Sequence, residues 1–218
     1  MTQQQIVSRL LKPAVFILAL VPLAMLIWNA LHDGLGANPV ETITFETGEW
    51  GLRFLLITLC VTPLRRITGW ALLVRLRRML GLFAFFYICL HFSTYLALDA
   101  FFDFAYILED ITERTYITLG FTSFVLLVAL AATSTDAMVR RLGGRRWRRL
   151  HKLAYVAALG GVLHFLWLVK ADVREPLIYL GILLALFLAR VPAVAQRLTK
   201  TPASAGAEKA AAARQVAG

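Results

Sequence analysis

The residues of this sequence best suited to chemistry are its histidines. Three of the four lie in or at the edge of long apolar stretches, where an ionisable side chain is costly and marks function. His91 sits in LFAFFYICLHFSTY, 13 residues beyond Arg78, and His164 sits in GGVLHFLW, 13 residues beyond His151. Read as helices, both stretches carry their histidine roughly 19 Å past a basic end, at one depth. Two neutral imidazoles at equal depth on neighbouring helices can supply both axial ligands of a six-coordinate haem, with Phe, Leu and Gly against its faces. Gly160 and Gly161 precede His164 and allow a flat ring or another helix to approach closely. The same pair could instead bond to each other or to a carbonyl, hold another metal, or relay protons in a transporter. No Asp or Glu lies deep in the apolar stretches, and Cys and Met are sparse there. Both facts count against proton-coupled or copper and zinc transport.

His151, in GGRRWRRLHKLAY, stands at the basic end of its stretch, as Arg77 and Arg78 do at the start of the stretch that carries His91. Together they could form a second site, because a guanidinium matches a flavin phosphate or a haem propionate bidentately. In one ideal helix His151 and His164 would point about 140° apart, so sharing a space requires tilt or distortion near Gly160. The plainer reading of these arginines is contact with anionic lipid headgroups. His32, beside Asp33, reads as a solvated residue at a helix end.

The elements that must position these residues are apolar helices. The chain has 218 residues, of which 59% are hydrophobic and 17% charged, with a mean hydropathy of +0.69. One water-soluble core of this size could not hide that balance. Six apolar runs, near 13–31, 50–64, 79–98, 115–133, 150–169 and 176–194, approach the length needed to cross about 30 Å of hydrocarbon. Arg53, in the shortest, must snorkel or find an internal partner. The expectation is an all-α integral membrane protein, a six-transmembrane-helix bundle over 13–194. From Thr199 to 218 the composition reads as a disordered cytoplasmic tail.

The net charge of +10 reads as a topology signal, with no nucleic acid as partner. Of 23 basic residues, 19 fall in the N-terminus, the segment from Arg65 to Arg78, the segment from Arg140 to Lys152, and the tail from Arg190. The acidic residues gather in the alternate loops, at 32–49, 99–114 and 172–175. The positive-inside rule then makes both termini cytoplasmic. Five tryptophans near the ends of the runs fit interfacial belts. The first run is too long for a signal peptide and reads as a retained helix. Cys60 and Cys89 read as small buried hydrophobes, and no internal sequence repeat is visible.

Three stretches, TGEWGLRFLLITLCVTPLRR (47–66), LRRMLGLFAFFYICLHFSTY (76–95) and LAATSTDAMVRRLGGRRWRRLHKLAYVAALGGVLHFLW (130–167), resemble the ferric-reductase-like transmembrane superfamily. This superfamily includes the NADPH oxidases. Within it the chain is most similar to the haem-binding membrane subunits of bacterial protein-methionine-sulfoxide reductase systems. The resemblance implies a multi-pass inner-membrane protein that binds haem b and FMN. It would draw electrons from the quinone pool or a cytosolic flavin reductase and pass them to a periplasmic molybdopterin-containing reductase, MsrP, which repairs oxidised proteins. The chain would then be an electron-transfer subunit rather than the catalytic one. The family's histidines carry over onto His91, His151 and His164. Oxidase relatives have two histidines on each of the two helices, and here the position 14 residues before His91 is Arg77. That departure leaves the inner cofactor open between FMN and a haem with His151 on one side only. A stand-alone haem b ferric reductase or cytochrome b561-like enzyme is the alternative.

Overall fold

The computed structural model describes residue 5 and residues 7–199 and is helical throughout, with no strand among the described residues. A π-helical turn, Val7–Leu11, leads into α1 (Lys12–Leu31). Helix α2 (Pro39–Thr68) opens with Asn38, whose side chain accepts from the Glu41 amide, and with Pro39 in its first turn. It closes on Gly69, in the left-handed conformation at φ 73°. A 3-10 turn, Ala71–Leu76, precedes α3 (Arg77–Thr94), which runs on as a π-helical turn, Tyr95–Asp99. Then come α4 (Phe104–Glu113), α5 (Thr115–Ala132), α6 (Asp136–Leu150), α7 (Leu153–Leu168), α8 (Arg174–Leu188) and α9 (Pro192–Thr199).

Each expected apolar run falls largely on a helix, with instructive differences at the edges. The run at 50–64 is the second half of α2, because the Asn38 cap starts the helix in a stretch too polar for hydropathy to register. Segments expected as loops form α4 and α6, whose starts are capped by the side chains of Asp103 and Thr135. The helix expected from 150 begins at Leu153 and bends by 44° from α6. The helix runs unbroken through Gly160, and the break in this stretch falls at His151 and Lys152. Except for Thr199, which ends α9, the expected disordered tail lies outside the described residues.

Three helical stretches, Arg9–Leu31, Ala71–Asp99 and Thr115–Ala132, are long and apolar enough to cross a membrane. The bent pairs Asp136–Leu150 with Leu153–Leu168 and Arg174–Leu188 with Pro192–Leu198 raise this to five if each is one span. Helix α2 is outside that set, and its Arg53 has found internal partners. The guanidinium donates to Tyr179 Oη at 2.7 Å, bonds Glu49, and lies 3.5 Å from Glu175 and 4.8 Å from the centre of the Trp50 ring.

Helices α2 and α3 pack antiparallel, as do α5 and α7. Gly51 meets Ile88 so closely that a Cβ would fall 2.5 Å from Ile88 Cδ1, while Gly160 faces Ser123 Oγ. Phe92 against Phe124, at 4.5 Å between centroids, joins α3 to α5. Phe45 against Phe165, at 6.3 Å, joins α2 to α7. Leu59, Tyr87 and Val162 are fully buried inside this four-helix core.

Two prolines loosen helices of the bundle, and polar side chains bond to the backbone beside them. Pro63 has no N–H to offer the carbonyl of Leu59. The Arg190 guanidinium donates to that carbonyl instead, and also to Leu186 O, while lying 5.1 Å from the centre of the Tyr155 ring. Beside Pro22 in α1, the Tyr87 hydroxyl donates to Ala19 O at 2.8 Å and accepts from the Leu23 amide at 3.2 Å. This ties α1 to the helix that carries His91.

Candidate cofactor site

His91 on α3 and His164 on α7 face one another across the four-helix core, with ring centroids 6.1 Å apart and ring planes at 76°. Each ring is held from behind in the same way. His91 Nδ1 lies 2.9 Å from the carbonyl of Thr44 on α2, and His164 Nδ1 lies 2.7 Å from the carbonyl of Tyr116 on α5. A carbonyl can only accept, so both Nδ1 atoms carry the proton and both Nε2 atoms keep a free lone pair. The backs of the rings rest on glycines one turn beyond those carbonyls. A Cβ at Gly48 would stand 2.9 Å from His91 Nδ1, and one at Gly120 would stand 2.8 Å from His164 Nδ1.

Metal–imidazole bonds are about 2 Å long, and the ring centre lies about 1 Å behind the nitrogen, so two imidazoles opposed across one metal have centroids about 6 Å apart. The 6.1 Å spacing meets that requirement. A cavity of about 240 Å³ surrounds the rings, walled largely by apolar side chains such as Leu52, Phe121, Phe124 and Leu127. Gly161 opens onto it, while Gly160 serves helix contact, so the two neighbouring glycines divide the roles anticipated for them. Donor type, anchoring, spacing and apolar walls all fit a haem with two histidine ligands.

His151 is placed apart from this pair, at the basic end of the bundle between α6 and α7. Its ring stacks on Trp147 at 3.9 Å, and its Nε2 lies 3.3 Å from Thr133 Oγ1. The Trp147 indole donates to Thr133 O at 2.9 Å, so this tryptophan does more than mark an interface. Arg77 and Arg78 are near enough to act on His151 electrostatically. Arg78 also bonds Asp136 at 2.5 Å and holds that carboxyl below the ordinary carboxylate range. His32 stacks on Trp28, away from both sites.

Residues 47–162 match the family described as Ferric reductase like transmembrane component. The chain is 52% identical over 199 residues to the protein-methionine-sulfoxide reductase heme-binding subunit MsrQ of Herminiimonas arsenicoxydans, covering 90% of this chain and 91% of that one. Against the protein of the same name from Rhodospirillum rubrum the identity is 54% over 191 residues, covering 87% and 92%. Against that of Xanthomonas oryzae pv. oryzae it is 51% over 181 residues, covering 80% and 83%. This chain belongs to the MsrQ family.

As a member of the MsrQ family it is a helical membrane protein, and three of its four histidines fall into a facing pair and a separate third. These three, together with Arg77 and Arg78, were the site candidates that the sequence offered; what holds the pair was not among them. Thr44 and Tyr116 act through main-chain carbonyls, which no residue type reveals. Gly48 and Gly120 carried one signal: each stands four residues after the residue whose carbonyl accepts from a histidine, on a helix that pairs with a histidine helix.

Proposed function

We propose that this chain is the membrane electron-transfer subunit of a protein-methionine-sulfoxide reductase system. It would hold haem b between His91 and His164 and pass electrons from the quinone pool or a cytosolic flavin reductase to a periplasmic molybdopterin-containing MsrP. The observation that carries the reading is the facing imidazole pair, 6.1 Å between centroids, with both Nδ1 atoms tied to carbonyls. Bound there, haem b supplies a one-electron carrier inside the bundle. The chain's part is to fix ring orientation and tautomer, to raise ligand basicity through the Thr44 and Tyr116 carbonyls, and to keep the surroundings apolar.

The finer assignments belong to the same reading. His151, stacked on Trp147 and close to Arg77 and Arg78, forms the inner site, and FMN suits it because its phosphate matches the guanidinium fork. Helices α7 and α8 supply the runs near 150–169 and 176–194, with the arginines of α6 left on the cytoplasmic side, and α2 spans with its charges paired, which gives six spans over 13–194 with both termini cytoplasmic in the bacterial inner membrane. Supporting this are the one-sided basic residues and the internal pairing of Arg53.

The test is a reduced-minus-oxidised spectrum of the purified chain in detergent, with His91→Ala, His164→Ala and His32→Ala beside it. A haem b spectrum lost or converted in the first two and intact in the third is expected. Unchanged spectra in the first two would overturn the axial assignment, and a colourless, iron-free wild type after expression with ample haem would overturn the function. For the inner site, flavin is extracted and quantified from Arg77→Ala and His151→Ala. Wild-type flavin content in both would remove FMN from that place.

A further inference from the structure

Four basic residues stand apart from the basic segments of the chain: Arg53, Arg114, Lys170 and Arg174. Arg53 is consumed by Glu49, Glu175 and Tyr179. Arg114 is different, because it is the one Lys or Arg among the described residues that line the cavity around His91 and His164. It sits just before α5, two residues from Tyr116, whose carbonyl holds His164. Its position is fixed by a buried carboxylate. Asp110, with a side chain only 4% exposed, takes Arg114 Nε at 3.1 Å and the Tyr95 hydroxyl at 3.1 Å. Tyr95 lies one helical turn beyond His91 and also lines the cavity. The guanidinium is thus held at the cavity wall by Asp110 at its Nε and by a hydrogen bond to the Tyr116 side chain, with its own side chain still half exposed. The other charged residues of the lining, Glu49 and Asp99, are acidic, and Glu49 is bonded to Arg53.

A guanidinium held in this way on the wall of a largely apolar cavity can receive a carboxylate, since its planar fork keeps N–H donors beyond those used by Asp110 and Tyr116. We infer that Arg114 anchors a carboxylate side arm of the group that occupies the cavity, which on the reading above is a propionate of haem b. Asp110 and Tyr95 act as positioning residues for it. The anchor lies toward the end of the bundle where Asp99 and Asp110 stand, so it orients the macrocycle with its carboxylate edge toward that end.

The inference rests on haem binding between the two histidines, and the experiment separates the two claims. The full chain in detergent is stripped of haem and titrated, by its Soret absorbance, with haem and with haem dimethyl ester, whose side arms carry no charge. Wild type is expected to bind the acid about tenfold or more tighter than the ester, as loss of a charge-assisted pair implies. Arg114→Gln should bring that ratio close to one, chiefly by weakening the acid, while leaving a low-spin spectrum because both histidines remain. Its midpoint potential should also fall, because a nearby cation favours the reduced state. Arg114→Lys should keep part of the preference, as a point charge without the fork. Equal binding of acid and ester by wild type, or a preference that survives Arg114→Gln, overturns the inference and leaves haem binding standing. If Arg114→Gln does not accumulate, an unchanged preference in Arg114→Lys overturns it. Failure of wild type to bind either form overturns the proposed function and the inference with it.

Discussion

Gly120→Ala tests the packing behind His164 on which the proposed haem site depends. The added methyl would stand 2.8 Å from His164 Nδ1, 3.0 Å from Cε1 and 3.1 Å from Cγ. Comfortable contact between such atoms begins near 3.5 Å, so the ring must retreat from α5 by roughly 0.7 Å. The bond from Nδ1 to Tyr116 O, now 2.7 Å, then stretches past the range of a good N–H···O bond. Losing that bond costs about 0.5–1.5 kcal/mol net, while replacing glycine by alanine inside a helix returns about 1 kcal/mol. The two nearly cancel, so thermal stability of the haem-free chain should barely change. Haem affinity has no such compensation, and loss of a partner behind a metal-bound histidine typically costs about 10–100-fold. Gly48→Ala should behave alike through His91, with its Cβ 2.9 Å from Nδ1. Gly181→Ala, where a Cβ meets nothing within 4 Å, is the control and should leave haem unchanged. Haem titration of the four proteins, with melting of the haem-free forms in parallel, is the assay. Wild-type affinity and spectra in both Gly48→Ala and Gly120→Ala would refute the reasoning.

Other expectations follow from the same contacts. Arg190→Met leaves the Leu59 carbonyl without a donor inside the bundle and should cost about 1–3 kcal/mol in detergent unfolding; in a Pro63→Ala background, where the backbone supplies an N–H, the cost should shrink, and equal costs in both would contradict the account. Tyr87→Phe removes a donor and an acceptor from the turn beside Pro22 and should lower stability by about 1 kcal/mol, whereas an unchanged melting point would mean that α1 closes that turn unaided. The ring planes at 76° are close to perpendicular, which leaves the iron orbitals of a low-spin haem nearly degenerate. The oxidised protein should therefore give an electron paramagnetic resonance spectrum dominated by one large, isolated g value, and a well-resolved rhombic spectrum would argue for parallel rings.

Much of the fold was legible because membrane helices announce themselves by apolar length. What hydropathy cannot register is a helix whose apolar residues are outweighed by charged ones. α6, with Arg140, Arg141 and Arg145 through Arg149, looked like a loop, and the first half of α2, with Glu41, Glu46 and Glu49, looked like one too. The site was legible to the extent that it is built from histidines, since 13-residue spacings from basic ends put His91 and His164 at one level. The break at His151 was not foreseen, because nothing in RRLHKLAY prevents a continuous helix; at the break His151 stacks on Trp147 and lies against Thr133. Two helix pairs repeat one carbonyl–glycine–histidine arrangement, yet the sequence shows no repeat, because a carbonyl needs no particular side chain. Arg114 escaped notice because charge counting treats a basic residue among acidic ones as an exception rather than as a group facing a cavity.

The central claim is that one iron lies between His91 and His164. Anomalous scattering at the iron edge, from crystals of the haem-loaded chain, tests it most directly. The account predicts an iron peak between the two rings, within bonding distance of both Nε2 atoms. An iron peak next to His151 alone, or one that touches only one of the facing histidines, would contradict it.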